Sequence, residues 1–175
     1  RRIDEVTELG QYTLLERLGE GGMGKVYRAR HRLLARDTAV KLLKPDVMSD
    51  EAVRRFEREV QITARLRHPN TIEIYDYGRT PEGIFYYAME YLDGYDLSRL
   101  VELNGPLAPD RVVHILRQAS RSLREAHGVG LIHRDIKPMN IIVSAGGGEY
   151  DVVKVLDFGL VKEVAETGPG MTAVN

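Results

Sequence analysis

The sequence predicts an α+β fold: an antiparallel, strand-rich first half carrying one helix, then a mainly helical second half. Three observations predict it. Short apolar runs joined by glycine-rich turns fill residues 12–43. Helical spacing of apolar residues takes over briefly after Ser49. It returns for longer beyond Leu92-Asp93-Gly94, which divides the chain into expected units of residues 12–92 and 93–175.

Each element has a local reason. Residues 12–18 read as a strand, Gly19-Glu20-Gly21-Gly22-Met23-Gly24 as a turn, and residues 25–29 as a second strand. Thr38-Ala39-Val40-Lys41-Leu42-Leu43 is a run of strand length, the third member of an antiparallel meander. Ser49-Asp50-Glu51 supplies a helix start, and Val53, Phe56, Val60 and Ala64 recur at helical spacing. His68-Pro69-Asn70 is expected to end that helix, because a residue before proline disfavours helical backbone. Residues 72–77 and 84–91 read as two further strands around Pro81-Glu82-Gly83.

Beyond the linker, residues 96–103 form a short helical stretch. Pro109 suits the first turn of a long helix. Its apolar stripe is Val112, Leu116, Ala119, Leu123 and Ala126, and Gly128 is its stop. Residues 141–144 and 152–156 read as a hairpin around Gly146-Gly147-Gly148, and the chain after Gly159 is polar and irregular.

Composition excludes several classes. Hydrophobic residues make up 43% and charged residues 29%, an ordinary globular balance that permits a real core. Net charge is -1 with both signs interspersed, so no basic stripe points to nucleic acid or an anionic membrane. Cysteine is absent, which excludes disulfides and thiolate metal sites within the chain and fits a reducing cytoplasm. No apolar run approaches the roughly 18 residues a membrane span needs, and no signal peptide opens the chain. A cytoplasmic location is expected, with any anchor lying outside these residues.

The chemistry-bearing motifs come next. Gly19, Gly21 and Gly24 fit G-x-G-x-x-G, with Val26 two residues on. Glycines let backbone N–H groups approach phosphates, although any glycine hairpin matches the pattern. A dinucleotide fold needs a helix after such a loop, whereas here a strand follows, which favours a flap over phosphates. Lys41 alone reads most simply as an outward-pointing residue of an edge strand. Glu59 changes that reading. It shares a helix face with Phe56, Val60 and Thr63, and a carboxylate leaning inward needs a partner. Glu57 is the rival acid.

The strongest signal is His133-Arg134-Asp135-Ile136-Lys137-Pro138-Met139-Asn140, followed by Asp157-Phe158-Gly159. Phosphoryl transfer to a hydroxyl needs a carboxylate to take the proton, cations for the phosphoryl charge and oxygen ligands for Mg²⁺. Asp135, Lys137, Asn140 and Asp157 supply these types in one short stretch.

On these residues the chain resembles the eukaryotic-type Ser/Thr protein kinases. Leu18-Gly19-Glu20-Gly21-Gly22-Met23-Gly24-Lys25-Val26-Tyr27 resembles their bacterial branch, and Lys137-Pro138 the Ser/Thr branch. The resemblance covers residues 12–175 and implies a bilobal fold with a partial helical C-lobe. It implies ATP and Mg²⁺ as cofactors and a protein Ser/Thr substrate. Gly19, Gly21 and Gly24 would cover the phosphates; Lys41, steadied by Glu59, would contact the α- and β-phosphates. Asp135 would act on the substrate hydroxyl, Lys137 would meet the γ-phosphate, and Asn140 and Asp157 would bind Mg²⁺. Leu18, Val26, Ala39, Met89 and Ile142 would sandwich adenine, with Met89 as gatekeeper and backbone groups of Glu90 and Leu92 on its edge. Ile74, His133, Phe158 and Thr63 would stack as an internal spine. Arg134 would receive a phosphate carried by Thr172 or Thr167.

The resemblance also implies what is missing. No Ala-Pro-Glu motif follows Asp157-Phe158-Gly159 within the chain. The chain is therefore expected to bind nucleotide yet phosphorylate poorly by itself, and to self-associate, or pair as a homodimer, through apolar surface on the helix that starts at Pro109. The competing readings are a pseudokinase-like nucleotide-binding or scaffold module and a small-molecule kinase of related fold.

Overall fold

The computed structural model describes residues 8–21, 24–43, 50–80 and 83–158, without the side chains at positions 50–53, 55, 56 and 59. Its first layer is a six-stranded sheet of β1 (Glu8–Leu9), β2 (Tyr12–Gly21), β3 (Gly24–His31), β4 (Asp37–Leu43), β5 (Ile74–Arg79) and β6 (Phe85–Glu90). The strand order is β1-β2-β3-β4-β6-β5, and all the pairings are antiparallel. The expected meander is present, extended by β1 at one edge.

Strand β4 lies inside this sheet, between β3 and β6, and its residues from Thr38 to Leu43 are buried. Period-two alternation sorts them. Val40 and Leu42 join Leu9, Tyr12, Ala29, Tyr86 and Ala88 on one face. Ala39 and Leu43 join Val60, Ile74, Tyr87 and Met89 on the other. Lys41 therefore sits on the second face, only 8% exposed, and is not an outward-pointing edge residue.

Helix α1 (Asp50–Thr63) covers that face with Val60 and Thr63, both buried. It ends before the expected His68-Pro69-Asn70 boundary. The reason is tertiary: the Glu125 carboxylate accepts the Arg67 and His68 backbone N–H groups at 2.9 and 3.0 Å, so they are unavailable to a helix. The following residues are drawn to the second half of the chain. Ile72 N–H donates to the Val155 carbonyl and Val155 N–H to that of Asn70. Strand β5 consequently starts at Ile74 rather than at residue 72.

The second half contains α2 (Leu97–Asn104), α3 (Pro109–Gly128) and a three-stranded sheet of β7 (Gly94–Asp96), β8 (Ile141–Gly146) and β9 (Glu149–Val155). Asp96 caps α2 by accepting the Arg99 N–H at 2.9 Å. Strand β7 is not among the expected elements, which place Gly94 in the linker and Asp96 in the short helical stretch; its Tyr95 and Asp96 pair with Val143 and Ile142 of β8. Helix α3 has the expected bounds, with Pro109 in its first turn, but Gly130 rather than Gly128 takes the left-handed backbone beyond it.

The buried face of α3 differs from the expected stripe. Ile115, Ala119, Ser122 and Ala126 point inward, Leu116 is 49% exposed, and Val112 and Leu123 are half-buried. A polar residue sets this rotation: Ser122 Oγ lies 2.7 Å from the buried Thr71 Oγ1. Among the described residues no helix is long and apolar enough to cross a membrane.

Candidate active site

Two segments built on β8 and β9 carry the polar chemistry. The Leu156 N–H donates to the Asn140 carbonyl at 2.9 Å, so the loop before β8 and the residues after β9 lie side by side. Residues 133–140 and Asp157 thus meet because the hairpin brings its two outer ends together.

His133 organises this junction. Its Nε2–H donates to the Leu156 carbonyl at 2.6 Å, and its Nδ1 accepts the Asp135 N–H at 3.3 Å. Its ring stacks at a tilt on Phe158, with centroids 4.9 Å apart. Burial pushes the imidazole below its ordinary pKa, against the upward pull of the Leu156 carbonyl and the charges of Asp157 and Asp135. The expected internal stack is buried throughout, at Thr63, Ile74, His133 and Phe158.

Asp135 is contacted by a cation and by an amide. Lys137 Nζ lies 2.8 Å from its Oδ2, and Asn140 Nδ2 donates to its backbone carbonyl at 2.8 Å and to Oδ2 at 3.3 Å. Asn140 thus turns its NH₂ toward Asp135, leaving its amide oxygen as the acceptor. Residues 138–140 form a single 3-10 turn, which brings Asn140 back under the loop. Arg134 is exposed and takes a positive φ of 62°.

Lys41 reaches this junction from β4. Its Nζ sits 2.7 Å from Asp157 Oδ2, across 116 residues of sequence. The other carboxylate oxygen, Oδ1, accepts the Tyr87 hydroxyl at 2.8 Å. Burial alone raises the Asp157 pKa, but the Lys41 charge and the hydrogen bonds from Lys41 and Tyr87 outweigh it and hold the carboxyl below its usual range. Tyr87 is pushed well up by burial and by the Asp157 charge. The expected partner Glu59 has its side chain outside the described residues. The rival Glu57 pairs with Arg79 at 3.6 Å.

The glycine turn joins β2 to β3, with Gly19 opposite Val26 and Gly21 opposite Gly24. The three glycines are not equivalent. A Cβ on Gly19 or Gly21 meets nothing within 4 Å, whereas one on Gly24 would run into the Leu42 carbonyl oxygen of β4. Gly24 is required by strand packing, and Gly19 and Gly21 face open space.

Of the expected adenine-lining residues, Ala39 and Met89 are buried in one cluster against which Val26 and Leu92 pack. Leu18 is 46% exposed and Ile142 half-buried, both outside that cluster. Leu156 also packs there and was not anticipated. Glu90 turns its side chain away from this surface: Oε1 accepts from Lys154 Nζ at 2.7 Å and from the Glu73 N–H at 2.8 Å. Thr167 and Thr172 lie outside the described residues. Sequence reading also missed Tyr87; the available signal was a tyrosine inside the apolar run Phe85-Tyr86-Tyr87-Ala88-Met89, where a buried hydroxyl needs a partner.

The family model described as "Protein kinase domain" matches residues 12–175. The chain is 44% identical over 165 residues to the serine/threonine-protein kinase pkn3 of Myxococcus xanthus, covering 93% of this chain and 30% of that protein. The solved PknI kinase domain of Mycobacterium tuberculosis is 33% identical with a TM-score of 0.76, covering 88% of this chain and 62% of that one. Rad53 in complex with AMP-PNP is 27% identical with a TM-score of 0.75, covering 87% of this chain and 39% of that one. The chain thus spans under a third of the length of the curated relative.

Proposed function

The chain belongs to the protein kinase family, and from that premise we propose that the intact protein transfers the γ-phosphoryl group of ATP to Ser and Thr hydroxyls of proteins. One observation carries the proposal: the Leu156–Asn140 hydrogen bond sets the Lys41–Asp157 pair beside an Asp135 already contacted by Lys137 and Asn140.

Asp135 orients the acceptor hydroxyl and takes its proton, and Lys137 offsets charge on the transferring group. Lys41 serves the α- and β-phosphates, with Glu59 as its second partner. Gly19 and Gly21 leave the space in which backbone N–H groups meet phosphate, while Gly24 holds the flap on β4. Val26, Ala39, Met89 and Leu92 offer the apolar surface for adenine, with Leu156 on the same cluster and Leu18 and Ile142 at its margin. Backbone groups of Glu90 and Leu92 bond the adenine edge; Glu90 offers its carbonyl there, because its N–H already donates to the Glu73 carbonyl at 3.0 Å.

Protein kinases in general use ATP and Mg²⁺, and the residues here fit them. The Asp157 carboxylate and Asn140 amide oxygen are hard oxygen donors, and Mg²⁺ commonly takes one or two protein oxygens together with substrate phosphates. When bound, it neutralises negative charge on the phosphates. Arg134 is the residue that would pair with a phosphate on Thr172 or Thr167. Action is proposed in the cytoplasm, on protein substrates, with pairing of two copies as a further proposal.

The test is phosphoamino-acid analysis of a protein mixture incubated with the intact protein and γ-labelled ATP. Labelled phosphoserine and phosphothreonine are expected. Label on tyrosine alone, or on small molecules alone, would overturn the assignment.

A further inference from the structure

Tyr87 stands out as a polar group that the proposed chemistry does not use. It is 1% exposed and lies within the apolar cluster under α1. In the β4–β6 register it pairs directly with Lys41. Paired residues on neighbouring strands project to the same face, so both side chains reach the same point from adjacent strands. That point is Asp157: Tyr87 holds Oδ1 at 2.8 Å and Lys41 holds Oδ2 at 2.7 Å.

The two contacts do different work. A single donor leaves a carboxylate free to swing about the contact, whereas two donors on separate strands fix its plane. Asp157 needs such fixing, because it takes a left-handed φ of 54°. That conformation is uncommon outside glycine and persists only where the surroundings determine it. A carboxylate offers roughly four lone-pair positions, so two donors leave oxygen capacity for a cation.

We propose that Tyr87 is a positioning residue whose hydroxyl orients the Asp157 carboxylate as a Mg²⁺ ligand. The proposal rests on the kinase reading above. Partners that orient a metal ligand commonly contribute about 10–100-fold to metal affinity. The effect of losing the hydroxyl therefore falls on the metal-dependent part of nucleotide binding and spares the metal-free part.

The experiment is calorimetric titration of the intact protein with ATP, with and without Mg²⁺. Wild type is compared with Tyr87→Phe, which keeps the ring and removes the hydroxyl. The wild type is expected to bind ATP more tightly with Mg²⁺. Tyr87→Phe is expected to keep the metal-free Kd and to lose about tenfold or more of the Mg²⁺ enhancement. An unchanged enhancement overturns the proposal, and so does an equal loss with and without metal, which marks a purely structural tyrosine. If Tyr87→Phe is too unstable to purify, Tyr87→Leu is read by the same ratio, with the same outcomes. A wild type that binds no ATP under either condition overturns the kinase reading itself, and is thereby distinct from failure at Tyr87.

Discussion

Lys154 of β9 and Glu90 at the end of β6 form an ion pair, Nζ to Oε1 at 2.7 Å, with both side chains 17% exposed. It ties the six-stranded sheet to the strand that leads into Asp157. The ammonium also donates to the Thr71 carbonyl, and the carboxylate also accepts the Glu73 N–H, so neither group depends on the other alone. The same junction carries the parallel bridge of Thr71 with Val155.

Removing one member leaves its partner half-buried and under-satisfied. Lys154→Ala is expected to lower stability by about 2 kcal/mol, read from urea midpoints, and Glu90→Ala by a similar amount. The double variant is expected to cost less than the sum, because the pair is coupled. Strict additivity of the two single effects would show that the pair contributes no coupling.

The unequal glycines give a second prediction. Gly24→Ala forces a methyl group against backbone of β4 and is expected to cost about 1–3 kcal/mol of stability. Gly19→Ala and Gly21→Ala meet open space and are expected to leave the melting temperature within a few degrees. Their effect belongs to nucleotide affinity. A Gly24→Ala variant as stable as wild type would remove the packing explanation.

His133 sets a pH dependence. Burial lowers its pKa in the folded state, so the unfolded chain takes up the proton first as pH falls from about 6.5. Its contribution to stability is therefore complete above that pH and is lost as pH drops toward the folded value. Wild type is expected to lose up to about 1.4 kcal/mol per pH unit more than His133→Gln across that window. Denaturant midpoints at pH 7, 6 and 5 check this; parallel curves would contradict it.

Much of the fold was legible because it is local. Pro109 and Gly128 bracket α3, and apolar runs with glycine turns mark β2 to β4. The site motifs were legible because one short loop concentrates them. What was not legible depends on distant partners. Strand β7 has three residues and exists by pairing with β8. The face α3 buries follows Ser122 and its bond to Thr71, which an apolar stripe cannot reveal. The contact of Lys41 with Asp157 joins residues 116 apart in the chain, a meeting that no local spacing encodes. Tyr87 entered the site through a strand register that no spacing encodes.

The central claim is that Asp135 acts on the acceptor hydroxyl while nucleotide is held by other residues. The most direct measurement compares wild type and Asp135→Asn in the intact protein, following γ-labelled phosphate transfer to Ser and Thr alongside ATP affinity. The predicted result is a fall of about 10²–10⁴ in kcat with the ATP Kd nearly unchanged. Phosphotransfer by Asp135→Asn at the wild-type rate would contradict the account, as would a wild type that binds ATP but transfers no phosphate.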